Sequence, residues 1–203
     1  MLSGVHAGRI IVVGSSTGGT EALRVFLSQM PVDAPPILIA QHMPESFVPA
    51  FAARLDGLCV LRVKMAEQGE EVKSGTAYIS PGNVHMEIAR HSPGYCIVLK
   101  DDPPVNFHRP SVEKLFRSAA QVLGIHALGV MLTGMGKDGA AAMLEMKQAG
   151  AINLAQNEES CVVFGMPRAA VELGAVDEVL PLDMIAGRAI LRSREIQAGR
   201  ERG

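Results

Sequence analysis

Three short stretches of the chain set reactive side chains just beyond apolar runs. The first is Gly14-Ser15-Ser16-Thr17-Gly18-Gly19, after Ile10 to Val13 and before a stretch with helical spacing. Gly14, Ser16 and Gly18 meet the pattern Gly-x-Ser-x-Gly, whose small residues permit a sharp strand-to-helix turn that lifts one hydroxyl above the edge of a sheet. Ser16 is therefore a candidate nucleophile. A Ser-Thr-Gly turn is equally an N-cap that supplies oxygen to free helix amides, and the pattern by itself slightly favours capping. Nucleotide templates fit less well: Ser16 stands where a dinucleotide fingerprint needs its middle glycine, and Thr20-Glu21 follow where a Walker loop needs Lys. A non-catalytic nucleotide-binding module stays the alternative from another class.

A serine hydroxyl is a weak nucleophile at neutral pH and needs a base within hydrogen-bond reach, which a third group orients. His42 follows the second apolar run, Ile37 to Ala40, by two residues, and adjacent strands of an open α/β sheet bring their carboxyl ends together where ligands bind. His6, His85, His91, His108 and His126 lack that placement. The bland reading of His42 is a turn histidine bonded to backbone. Asp138 follows the run Leu128 to Leu132 and precedes another helical stretch. It would orient His42, or else cap the helix that follows it. The chain order Ser, His, Asp differs from the Ser, Asp, His of α/β-hydrolases, though the same geometry is reachable from either.

Positioning such groups requires a rigid frame, and the patterning supplies one. Short apolar runs alternate with amphipathic stretches, the rhythm of a doubly wound, mostly parallel α/β sheet with helices on both faces. Expected strands are Ile10 to Val13, Ile37 to Ala40, Val60 to Val63, Leu128 to Leu132, Ile152 to Ala155 and Glu178 to Leu180. Expected helices are Thr20 to Met30, Ser46 to Leu55, Val112 to Leu123, Gly139 to Ala149, Pro167 to Leu173 and Asp183 to Arg192. Around residues 75–100, the runs Thr76 to Ser80, Val84 to Ala89 and Cys96 to Leu99 are separated by Pro-Gly turn signals and predict a small antiparallel excursion. The polar stretch from Ser193 to Gly203 is expected to be a flexible tail.

Composition narrows the class further. The chain has 203 residues, of which 48% are hydrophobic and 20% charged, enough for one well-filled core without disulfide or metal staples. A net charge of -2 disfavours nucleic acid and anionic membranes as partners. Three widely spaced cysteines argue against a zinc cluster or a disulfide framework and suit a reducing cytoplasm. No metal or organic cofactor is required by the chemistry above, and no membrane insertion is expected.

Six motifs in order, Gly14 to Gly19, Gln41-His42-Met43-Pro44, Tyr78-Ile79-Ser80-Pro81-Gly82, His108-Arg109-Pro110-Ser111, Leu132 to Gly139 and Phe164-Gly165-Met166-Pro167, resemble the effector domain of bacterial chemotaxis protein-glutamate methylesterases. The likeness implies a catalytic domain over residues 1–192 that hydrolyses glutamate methyl esters on chemoreceptor helices. Glutamine deamidation is a related acyl transfer in that family. It further implies Ser16 as nucleophile, His42 as base and then acid, and Asp138 as the residue that orients His42. The backbone amides of Thr17 and Met135 are natural oxyanion donors, and Arg109, Phe164 and Met166 are candidates for the substrate rim. For Phe164 and Met166 a core-packing role, and for Arg109 a surface ion pair, compete with that assignment. Family members usually carry a phosphorylatable receiver domain ahead of this one; with the first strand at Ile10, none is expected in this chain. A hydrolase of small esters sharing the same site is the remaining alternative.

Overall fold

The first apolar run folds as β1 (Ile10–Ser15), and the chain continues through α1 (Gly19–Ser28), β2 (Ile37–Gln41), α2 (Val48–Asp56), β3 (Arg62–Met65) and β4 (Thr76–Ile79). A hairpin of β5 (His85–His91) and β6 (Gly94–Lys100) comes next, then α3 (Val112–Leu123) and β7 (Ala127–Met131). The last elements are α4 (Ala140–Gln148), β8 (Ile152–Gln156), α5 (Met166–Glu172), β9 (Glu178–Leu180) and α6 (Leu182–Arg200). The structure, a computed structural model, describes residues 9–200. His6, the first eight residues of the expected catalytic domain and the end of the expected tail thus lie outside the described residues.

Seven strands form one parallel sheet in the order β3-β4-β2-β1-β7-β8-β9, and β5 pairs with β6 in a separate antiparallel sheet. The doubly wound α/β architecture with a small antiparallel excursion is therefore the observed fold. The runs lack polar alternation because both faces are covered. Ile10, Val12, Leu38 and Ala40 point into a core with α3, α4 and α5, while Ile11, Val13, Ile37 and Ile39 point into one with α1, α2 and α6.

Beyond shifts of one or two residues at several element ends, three departures from expectation stand out. Thr76 to Ser80 was expected in the antiparallel excursion, but β4 inserts between β3 and β2 in parallel register, with Ala77, Tyr78 and Ile79 all buried. Three consecutive buried side chains without polar alternation suit a two-sided parallel position better than a hairpin. Val60 is exposed, so β3 starts at Arg62 instead. The last helix runs past Arg192 to Arg200, and Ser193 is buried. Arg, Glu, Gln and Ala are good helix formers, and an Arg192–Glu195 ion pair at 3.0 Å spans i to i+3 there. Among the described residues no helix is long and apolar enough to cross a membrane.

Since β1 is central and the chain winds outward from it first through β2 and later through β7, the carboxyl ends of β1 and β7 flank a topological switch point. Open α/β sheets bind ligands there. Ser16, His42 and Asp138 follow β1, β2 and β7 respectively, three adjacent strands.

Candidate active site

Backbone bonds tie the three loops into one unit. The His42 amide donates to Ser15 O (3.1 Å) and the Ser16 amide to Thr133 O (3.0 Å). The turn after β1 is taken by Gly18 at φ 79, left-handed backbone that glycine enters at no steric cost. Gly18 is also the N-cap of α1, which has no side-chain cap. The expected capping role for the Ser-Thr-Gly turn is thus absent, and the Ser16 hydroxyl has no hydrogen-bond partner among the described residues.

The neighbouring serine is different. Ser15 is fully buried and its hydroxyl donates to Gln41 Oε1 at 2.6 Å. Gln41 Nε2 in turn donates to Ser16 O (3.1 Å) and His42 O (3.0 Å). One buried amide at the end of β2 therefore fixes the backbone of both candidate reacting residues. Gln156, at the end of β8, does the same for the third loop by accepting from the Thr133 amide at 2.8 Å.

Asp138 is the hub of the site. Its Oδ2 accepts from His42 Nε2 (2.8 Å) and the Val112 amide (2.7 Å). Oδ1 accepts from Ser111 Oγ (2.7 Å) and Asn106 Nδ2 (2.9 Å). Burial pushes the carboxyl upward, but the hydrogen bonds from His42, Asn106, Ser111 and Val112 outweigh it and hold Asp138 below the usual carboxylate range. Asp138 therefore caps a helix, though not the one that follows it: its carboxylate sits at the first turn of α3. The start of α4 is served by Glu113 of α3, whose Oε2 accepts from the Gly139 amide (3.1 Å) and the Ala142 amide (3.3 Å). Two helices exchange caps, and the exchange fixes the loop that carries Asp138.

An ionised carboxylate accepting from Nε2 puts the imidazole proton on that nitrogen and the lone pair on Nδ1. His42 Nδ1 is buried and has no hydrogen-bond partner among the described residues. Over the His42 ring lies His108, centroids 3.7 Å apart and planes 11° from parallel. Burial, and then the neighbouring His42, lower the His108 pKa.

Gly134 lies so close to the turn after β1 that a Cβ there would stand 2.9 Å from Ser16 Cβ. The amides of Thr17 and Met135 donate no hydrogen bond among the described residues. Of the rim candidates, Met166 is fully buried beneath Gly134 and packs in the core, because its sulfur fills the space a side chain at Gly134 would need. Arg109 pairs with Asp101 at 2.6 Å. Phe164 is half-buried, bridges to Gly134 and carries the Arg168 guanidinium 5.5 Å from its ring centroid.

Sequence reasoning missed Gln41, Asn106, His108, Ser111 and Glu113 as parts of this site. The signal for Gln41 was a polar residue closing an otherwise apolar strand; Gln156 closes β8 in the same way, though Asn153 already interrupts that run. For Asn106, His108 and Ser111 no spacing rule applies, since they reach the site from a loop before α3.

A family model described as CheB methylesterase matches residues 11–189. A protein-glutamate methylesterase/protein-glutamine glutaminase 1 of Burkholderia pseudomallei (strain 1710b) is 58% identical over 188 residues, covering 93% of this chain and 52% of its own. A protein of the same printed name from Geobacter metallireducens is 59% identical over 174 residues, 86% of this chain and 48% of the relative. The crystal structure of the Thermotoga maritima CheB methylesterase catalytic domain superposes with a TM-score of 0.88 at 39% identity, covering 91% of this chain and 98% of that one. The chain spans about half the length of the curated relatives it matches.

Proposed function

The chain belongs to the CheB methylesterase family, and on that premise we propose that it hydrolyses glutamyl methyl esters on chemoreceptor helices through an acyl-enzyme on Ser16. The observation that carries this reading is the buried 2.8 Å bond from His42 Nε2 to Asp138, with Ser16 just past the end of the neighbouring strand and its hydroxyl without a partner among the described residues. Ser16 gives its proton to His42 Nδ1 as its oxygen attacks the glutamyl carbonyl. The C–OCH3 bond breaks, His42 returns the proton to the leaving methanol, and a water activated by the same nitrogen frees the carboxylate. Asp138 steadies the imidazolium that forms between these steps. The amides of Thr17 and Met135 receive the oxyanion, each such donor being worth about 3 kcal/mol of barrier. A glutamine side chain presents the same carbonyl with ammonia as leaving group, so receptor deamidation follows by the same steps. No metal or organic cofactor enters the scheme. A receiver domain is the regulatory partner that the family resemblance implies.

Support comes also from the two serines. Ser15 is spent on Gln41, so Ser15→Ala removes a brace and leaves the chemistry, whereas Ser16→Ala removes the nucleophile. Methanol release from a methylated receptor fragment should persist in Ser15→Ala and fall by at least about a thousandfold in Ser16→Ala. Retained turnover in Ser16→Ala would refute the reading.

A further inference from the structure

Phe107 is wholly exposed, 100% by surface. It also lies in left-handed backbone, φ 68, after Asn106 at φ 51. A bulky residue there is an outlier, and a fully exposed ring gains no burial to offset the strain. Such strain persists only where surrounding contacts impose it, and it concentrates at functional sites. Here the imposing contacts are explicit. Val105 and His108 close the turn with reciprocal backbone bonds of 3.0 and 2.9 Å. On one side of Phe107, Asn106 is bonded to Asp138; on the other, His108 is stacked on His42. The turn is bolted to the reacting groups at both flanks and thrusts the ring outward between them. Two more exposed apolar side chains hang from the neighbouring loops: Met135 (70%), next to Gly134, and Val162 (70%), against Gly18.

We propose that Phe107, with Met135 and Val162, grips the polypeptide that carries the ester, namely a helix presenting apolar side chains about one turn from the reacting glutamyl group. This rests on the glutamyl-ester reading above and adds the residues that select a helix over a small ester. Apolar anchors beside a reacting carbonyl suit a helix with an apolar face, and a large exposed aromatic is the residue type that dominates such contacts. A small ester carries no apolar face for them to hold.

The test compares the full chain with Phe107→Ala and Phe107→Trp on two substrates, a methylated chemoreceptor cytoplasmic fragment and p-nitrophenyl acetate. For Phe107→Ala, kcat/KM on the receptor should fall about tenfold, mainly through KM, with Phe107→Trp near wild type. Turnover of the small ester should stay within about twofold in both variants. Phe107→Gly should melt at a higher temperature than wild type and still lose receptor turnover, since glycine relieves the backbone while removing the grip. Equal losses on both substrates would make Phe107 a support of the site and overturn the proposal. So would unchanged receptor turnover, including the case in which Phe107→Ala instead weakens binding of an isolated receiver domain. A wild-type chain that cleaves the small ester but releases no methanol from the receptor would refute the substrate reading itself, a result distinguishable from either.

Discussion

His42 is held by three neighbours of different kinds: a carboxylate on Nε2, a second imidazole across its face and the backbone bonds organised by Gln41. Nδ1 has no partner among the described residues and in the proposed scheme serves Ser16, the reverse of the assignment in the chymotrypsin-type triad, where the carboxylate holds Nδ1. His108 pays for its place in charge: burial and the facing ring keep its pKa below the ordinary value. As pH falls, the unfolded chain takes up this proton before the folded one does, so His108 costs stability increasingly below about pH 7. His108→Phe keeps an aromatic face without a proton to bind. Urea unfolding should therefore show the variant gaining on wild type between about pH 7.5 and 5.5; parallel curves would contradict the cause assigned here. Ser16, His42 and Asp138 were legible because each stands just past an apolar strand. His108 was passed over because no strand precedes it, and only the fold lays its ring on His42.

Elements position these residues mainly through helix ends. The sequence located α3 to the residue, from Val112 to Leu123, because its amphipathic period is strong and Gly124 stops it. What it did not disclose is that Asp138 caps α3 while Glu113 caps α4, since the exchange joins residues far apart in the chain and each helix, taken alone, has a different apparent cap. Glu113 is buried, and its other oxygen accepts from Arg117 at 2.6 Å. Glu113→Ala would leave the Gly139 and Ala142 amides without an acceptor and loosen the loop that bears Asp138. We expect a loss of about 2 kcal/mol in unfolding free energy and a fall in kcat exceeding any rise in KM for receptor methanol release. Unchanged stability with unchanged kcat would show that the exchanged caps are incidental. The opposite failure of sequence reasoning is β4: turn signals on its carboxyl side suggested a hairpin, but three consecutive buried residues, Ala77, Tyr78 and Ile79, belong inside a parallel sheet, and the turns serve only to leave it.

At the scale of the molecule, a parallel sheet wound outward from its centre places three strand ends at one crevice with no contribution from their order in the chain. Ser, His and Asp in that unusual order are compatible with a triad for this reason. Two buried glutamines, at the ends of β2 and β8, tie the loops across the same edge, and the frame was readable from apolar runs where these ties were not. In the proposed mechanism Ser16 is made nucleophilic by His42 and Asp138 acting together. The most direct measurement is mass spectrometry of the chain after reaction with a fluorophosphonate, beside Asp138→Asn treated alike. One adduct should appear on the peptide containing Ser16, mapped to that residue, and its rate of formation should fall by about a thousandfold or more in Asp138→Asn. An adduct on Ser15, or equal labelling of both proteins, would rule that mechanism out.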